Sequence, residues 1–151
     1  MTAGRESGRR RDRIRVGPDP IDPGALATEV TEPACGAVVV FLGTVRDHSE
    51  GKAGVTRLEY EAYDDVVVTK IEEIVAAARG RWDLVAVVVE HRTGSLAVGQ
   101  ISVGVAVGSG HRGEAFDAGR FLIDELKAKA PIWKKEHWRG GAEWVREDQQ
   151  H

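Results

Sequence analysis

Ser109-Gly-His-Arg-Gly-Glu-Ala-Phe-Asp-Ala-Gly-Arg-Phe-Leu-Ile-Asp-Glu-Leu-Lys-Ala-Lys-Ala-Pro-Ile-Trp-Lys-Lys-Glu136 is the stretch from which the rest of the chain can be placed. It follows a β-branched run, Ile101 to Val107, that reads as a strand. Ala115, Phe116, Gly119, Leu122, Ile123, Leu126 and Ala130 then recur at steps of three and four, one apolar stripe of a helix. Pro131 ends that helix, because proline disfavours helical geometry in the residue before it. Lys127 falls at the edge of the stripe, beside Ile123 and Phe116, whereas Glu125 and Lys129 point to solvent. A lysine there either snorkels, its stem covering the core and its ammonium in water, or is a partly desolvated amine suited to proton transfer or anion binding. Periodicity leaves both readings open. His111 and Arg112 sit where a strand hands over to a helix N-terminus, a place that offers free backbone N–H groups to an anion. The alternative for that pair is a solvated loop with a capping role.

Outward from this stretch the chain reads as one domain. It has 151 residues, 42% hydrophobic and 30% charged, as is ordinary for a globular protein with a real core. A formal net charge of -3 argues against general nucleic-acid or membrane-surface binding. The single cysteine, Cys35, excludes an internal disulfide framework and fits a reducing compartment. No run is apolar and long enough to span a bilayer, and the N-terminal arginines have no apolar segment behind them. The expected setting is cytoplasmic. Residues 1–13 are Arg-, Gly- and Ser-rich without periodicity and read as a disordered basic arm. Residues 14–146 read as the domain, and residues 147–151 as a polar tail.

Within the domain, Ile14 to Val16 is a short strand, and Asp22-Pro23 opens a brief helix as N-cap and first helical residue. Gly36 to Arg46 is a strong strand whose unbroken apolar character predicts burial on both faces. Val55 to Ala62 alternates as a half-buried strand. Tyr63 to Arg79 takes helical spacing, with Val67, Ile71, Ile74, Val75 and Ala78 on one side and Gly80 as C-cap. Leu84 to Glu90 is a buried strand, and His91 to Gly94 reads as a turn. Pro131 to Glu136 and Ala142 to Val145 are short strands joined at Gly140-Gly141. Strands and helices without a strict βαβ rhythm predict an α+β fold with a mixed or largely antiparallel sheet.

Several motifs are absent. There is no Walker-type phosphate loop, and Val107 to Gly110 lacks the spacing of a dinucleotide fingerprint. The histidines at 48, 91, 111, 137 and 151 show no metal-ligand spacing, so no metal site is expected. Cys35 has no activating neighbour in sequence, so any sulfur chemistry here needs sulfur from elsewhere. Lys134 and Lys135 are neighbours on a strand and face opposite ways.

Taken in order, Phe41-x-Gly43-x-Val45-Arg46, Leu58-Glu-Tyr-Glu-Ala-Tyr63, His91-Arg-x-Gly-x-Leu96-x-x-Gly99, Ser109-x-His-Arg-x-x-Ala-Phe116, Leu126-Lys127 and Pro131-Ile-Trp-Lys-Lys-Glu136 resemble the large, catalytic subunits of molybdopterin synthase. The match runs from about Gly36 to Val145. The resemblance implies an α/β hammerhead-type fold with a small β subdomain, and a homodimer. It further implies a separate small ubiquitin-like sulfur-carrier subunit ending in Gly-Gly on each copy, making a heterotetramer. The activity implied is a sulfurtransferase of molybdenum cofactor biosynthesis, moving two sulfurs from the carrier's thiocarboxylate to cyclic pyranopterin monophosphate. By the same resemblance Lys127 and Lys134 carry the chemistry, and Thr44, Val45, Arg46, His111, Arg112, Lys135 and Glu136 fall at substrate-binding positions. No metal or resident cofactor, nucleic acid or membrane enters that scheme. Gln100 stands where the family often has an acidic residue, and the arm before Ile14 has no counterpart. The competing class is a non-catalytic module that cradles a phosphate or nucleotide at His111-Arg112, or that docks a ubiquitin-like partner without chemistry.

Overall fold

The two most deeply buried strands, Leu84–Arg92 (β7) and Ile101–Ser109 (β9), form the antiparallel centre of a five-stranded sheet in the computed structural model. The structure describes residues 3–7, 11–49, 52–138 and 140–146. On one side of the central pair, Arg11–Gly17 (β2) runs parallel to β7, and Ala3–Ser7 (β1) pairs antiparallel with β2. On the other side, Ala37–Thr44 (β3) pairs antiparallel with β9 and forms the edge.

Helices cover both faces. Pro23–Val30 (α1) packs Leu26 and Val30 on Ala86, Val88 and Ala106. It opens as its sequence predicts, with Asp22 Oδ1 accepting from the N–H groups of Gly24 (3.0 Å) and Ala25 (3.2 Å). Its close approach needs glycine: a Cβ on Gly104 would stand 2.6 Å from Leu26 Cδ1. Asp64–Arg81 (α2) and Arg112–Lys129 (α3) cover the opposite face with the larger core.

A second sheet, the small β subdomain of the sequence reading, is antiparallel throughout. Its order is Gly141–Arg146 (β11), Trp133–Trp138 (β10), Val55–Glu61 (β6) and Gly94–Ala97 (β8). Its inner positions, Leu58, Tyr60 and Leu96, join the larger core. His91, buried at the end of β7, stands edge-on to Tyr60 at 5.1 Å and ties the two sheets together. Its Nδ1–H donates to the Arg92 carbonyl, 2.7 Å away. His48–Ser49 (β4) and Lys52–Ala53 (β5) make a small hairpin between the sheets' strands in sequence.

The α+β class is as expected, and five local expectations change. His91 and Arg92 close β7 rather than form a turn. Helix α2 runs through Gly80 to Arg81, because the Trp82 N–H bonds back to Ala78 O and extends the last turn. Phe116, placed on the apolar stripe by its spacing, is 63% exposed, and Ala118 takes its place inside. β3 is half-buried from Ala37 to Gly43, since it lies at the sheet's edge and not between two strands.

The fifth change concerns the arm expected over residues 1–13. Arg11–Arg13 belong to β2, and Ala3–Ser7 pair with it; residues 1–2 and 8–10, like the tail at 147–151, lie outside the described residues. Charge holds β2 in place. Asp12, buried beneath α2, pairs with Arg79 and accepts from Val87 N–H at 3.1 Å. On the other face, buried Glu90 bonds Arg13 (2.5 Å) and Arg15 (2.9 Å), and Arg13 reaches Glu29 of α1 at 2.6 Å. These two carboxylates push the Arg13 guanidinium pKa further up. Asp12→Ala should lower unfolding free energy by about 3 kcal/mol, because Arg79 would then be left as a charge without its carboxylate. Lys70→Ala, which removes only an exposed pair with Glu73, should cost less than about 0.5 kcal/mol. Urea denaturation of both variants measures the contrast, and equal costs would refute it.

Candidate active site

Where β3 ends, the chain must leave the sheet between the two layers, and a cavity of about 550 Å³ opens there. Four regions of the fold build it. The end of β3 and start of β9 supply Phe41, Gly43, Thr44, Ser102 and Val103; the chain beyond β3 supplies Arg46 and, at the start of β4, His48. The last turns of α3 supply Asp124, Lys127 and Ala128, and the inner face of the second sheet supplies Leu58, Tyr60, Lys134 and Glu136.

The strand period decides which β10 residues face inward. Lys134 and Glu136 stand opposite Tyr60 and Leu58, both inner positions, so their side chains share the cavity face. Trp133, Lys135 and His137 take the other face, where Lys135 Nζ lies 5.5 Å from the Trp144 ring centroid and His137 bonds Glu59 at 2.9 Å. The helix period places Lys127 at the exposed rim of α3, with Lys129 turned to solvent and paired to Glu125 at 3.1 Å. Lys127 and Lys134 therefore reach one cavity from different elements, with Arg46 as a third cation and Asp124 and Glu136 as the acids. Glu136 is only 1% exposed, and a carboxylate so deep calls for cations around it. At the rim, His48 Nδ1 lies 2.8 Å from Asp47 Oδ1, and this contact holds the Asp47 carboxyl below the usual carboxylate range.

Not every expected position arrives here. Thr44, Arg46, Lys127, Lys134 and Glu136 line the cavity. Val45, between two of them, turns its side chain into the core, and its backbone is held by Gln100 O and Gly99 N. Lys135 faces away. His111 and Arg112 stand at the N-terminus of α3, about 22 Å along the helix from Lys127. The cavity also holds residues that the sequence reading passed over: Tyr60, Ser102, Asp124 and His48. Of these only Tyr60 left a signal, as an inward position in an alternating strand. Cys35 is remote in another way. Its Sγ donates to Val30 O at the end of α1 and would crowd a Cβ on Gly108, on the sheet face opposite the cavity. Among the described residues no group of three or more metal-ligating side chains converges.

A mixed-sheet α+β domain with a lysine-paired, cation-rich cleft and no thiol in it defines the class, and the comparisons with known proteins define the family. The family model described as "MoaE protein" matches residues 16–129, and the chain belongs to that family. A molybdopterin synthase catalytic subunit of Nostoc sp. is 53% identical over 114 residues, 74% of this chain and 68% of the relative. The X-ray structure of molybdopterin synthase from Staphylococcus aureus superposes with a TM-score of 0.79 at 35% identity, over 86% of this chain and 94% of that one. A Helicobacter pylori protein, solved as a complex of subunits 1 and 2 of molybdopterin-converting factor, shares the fold at 22% identity and a TM-score of 0.72, over 91% and 92% of the two chains. The chain is thus an enzyme of molybdopterin biosynthesis.

Replacing His48 with Ala removes the contact that lowers Asp47. The Asp47 carboxyl should then titrate at higher pH, read from its carboxyl carbon shift by NMR; an unmoved midpoint would show that the pair does not form in solution.

Proposed function

We propose that this chain is the sulfur-transferring large subunit of a molybdopterin synthase. The observation that carries the reading is the convergence of Lys127 and Lys134 in a cleft whose lining includes no cysteine. Sulfur has to arrive on a partner, and a thiocarboxylate on the C-terminal glycine of a small ubiquitin-like carrier, ending in Gly-Gly, is the form that two ammonium groups and an arginine would hold. The acceptor is cyclic pyranopterin monophosphate, which takes two sulfurs to become the dithiolene of molybdopterin. Arg46 and the N–H and hydroxyl groups around Thr44 are suited to its phosphate. Lys127 and Lys134 orient each thiocarboxylate and move protons as its sulfur bonds a pterin carbon and water takes its place at the carbonyl carbon, leaving the carrier with an ordinary carboxylate. Glu136, buried on the same face of β10 as Lys134, supplies negative charge among the cations of the cleft. No metal or resident cofactor takes part, and the setting is the cytoplasm; no helix among the described residues is long and apolar enough to cross a membrane.

The position of His111 and Arg112 gives this reading a structural demand. Separated from Lys127 by about 22 Å of helix, they cannot serve the cleft of their own chain. The proposed assembly is therefore a homodimer in which they serve the cleft of the second copy, with one carrier per cleft.

Lys127→Met keeps the stem and removes the amine. Conversion of the pterin by thiocarboxylated carrier should fall by about 100-fold or more, with the melting temperature nearly unchanged. Lys129→Ala, two residues on and outside the cleft, should retain near-normal turnover. Near-normal turnover in Lys127→Met, or equal losses in both variants, would leave snorkelling as the better account of Lys127.

A further inference from the structure

Arg46 enters the cleft from a point where β3 has already ended, so something other than that strand has to hold it. Its side chain is exposed, and among the described residues no carboxylate pairs with its guanidinium. Its place is therefore set by its backbone. On one side, Asp47 O accepts the Val55 N–H at 2.7 Å. On the other, Val45 is bonded through both of its backbone groups. Its N–H donates to Gln100 O at 2.9 Å, and its carbonyl accepts from the Gly99 N–H at 2.7 Å. Val45 itself is buried in the core, which turns its neighbours Thr44 and Arg46 together toward the cleft.

Gly99 and Gln100 belong to the turn between β8 and β9, where the chain crosses from the second sheet to the first. That turn is closed twice. The Gln100 N–H donates to Ala97 O at 3.1 Å, and Gln100 Oε1 accepts the Ala97 N–H at 2.8 Å. Gly99 has a φ of 90°, left-handed backbone that favours glycine, although the space a Cβ would take is open. Just beyond the turn, β9 carries an extra residue. Gly43 pairs with Val103 and Thr44 with Ile101, so Ser102 is left in a bulge. Its Oγ donates to Gly43 O at 3.3 Å, and its side chain lines the cleft. Bulge and turn together carry the pairing of the chain past the end of β3, as far as the residue before Arg46.

We propose that Gly99 and Gln100 are positioning residues for the anionic substrate: their turn, acting through Val45, sets Arg46 in the cleft. The inference rests on the phosphate-binding role proposed above for Arg46 and names what holds that role in place. It also accounts for Gln100, which stands where the family often has an acidic residue. What the turn requires at position 100 is a side-chain oxygen within reach of the Ala97 N–H, and an amide and a carboxylate both carry one. The same turn relates the two walls of the cleft. β8 pairs with β6, and β6 with β10, so the turn sets Arg46 of one wall against Lys134 and Glu136 of the other. An anion gripped from two sheets tolerates little change in the gap between them.

The test separates placement from folding. Gln100→Met keeps the length of the side chain and loses the oxygen, at an exposed position. In the assay with thiocarboxylated carrier it should raise KM for the pterin about tenfold, with kcat within about twofold and the melting temperature kept. Gln100→Glu, which restores the acceptor, should bring KM back to the wild-type value. Val98→Ser, in the same turn but outside the clamp, should leave KM alone. Arg46→Ala should raise KM by itself, and adding Gln100→Met to it should raise KM no further, because both changes act on one contact. Three results overturn the inference: Gln100→Met that loses melting temperature but keeps KM, Gln100→Glu that behaves like Gln100→Met, or a double variant whose effects add. A second readout needs no turnover. Inorganic phosphate is titrated against the Arg46 Nε–H resonance by NMR in the wild type and in Gln100→Met. Weaker binding in the variant, without any pterin conversion by the wild type, would remove the sulfur-transfer reading and uphold this inference. Equal binding in the two proteins overturns it.

Discussion

Two carboxylates under the five-stranded sheet have to be neutralised before that sheet can exist. Asp12 and Glu90 are 7% and 4% exposed, and buried ions without partners cost several kcal/mol each. Arg79 answers Asp12 from α2, and Arg13 and Arg15 answer Glu90 from β2 itself. The pairs act on both faces of β2 at once. Asp12, Ile14 and Val16 turn toward α2 while Arg13 and Arg15 turn toward α1, so one short strand fastens both helices to β7. Position, more than net stability, is what such pairs specify, since each guanidinium accepts only one arrangement of its carboxylate. β7 sits between this charged strand and the apolar β9, and everything that shapes the cleft is built outward from β9.

Polar and apolar halves of the sheet thus do different work. On the β2 side, specificity comes from ion pairs; on the β9 and β3 side it comes from close packing, as where Gly104 admits Leu26. The cleft lies on the apolar side, at the seam with the second sheet, where a strand end, a helix end and a sheet face can each offer a side chain. No single element could gather Arg46, Lys127, Lys134 and Glu136, which the chain separates by up to ninety positions.

The periodic parts of the fold were legible in the sequence. Alternation marked β6, β-branched runs marked β7 and β9, and the stripe from Ala115 to Ala130 marked α3. Asp22 announced α1 through the oxygen that caps it. β2 was not legible beyond Ile14, because Arg11 to Arg13 reads as solvated unless the partners at Glu29, Arg79 and Glu90 are already in view. β3 was correctly a strand but wrongly central, since composition records how apolar a strand is and not which neighbours it has. Of the cleft's lysines, Lys127 stood at the stripe's edge with two readings open, while Lys134 was named through the family resemblance, alternation saying only that it and Lys135 face opposite ways. Lys135 is excluded from the cleft by the strand period, and Val45, just past β3, by turning into the core. Ser102, Asp124 and His48 carried no signal, because only folding brings their elements to one opening.

Helix α3 begins at Arg112 and has Lys127 in its last turns, with a rigid cylinder of about four turns between them. That makes it a measuring rod as well as a wall. A single residue inserted within it would rotate Arg112 by about 100° against Lys127 and lengthen the rod by about 1.5 Å. A residue added to the β4–β5 hairpin would shift neither end. Changes of chain length in proteins of this build are therefore expected to collect in hairpins and termini, while α3 keeps its count.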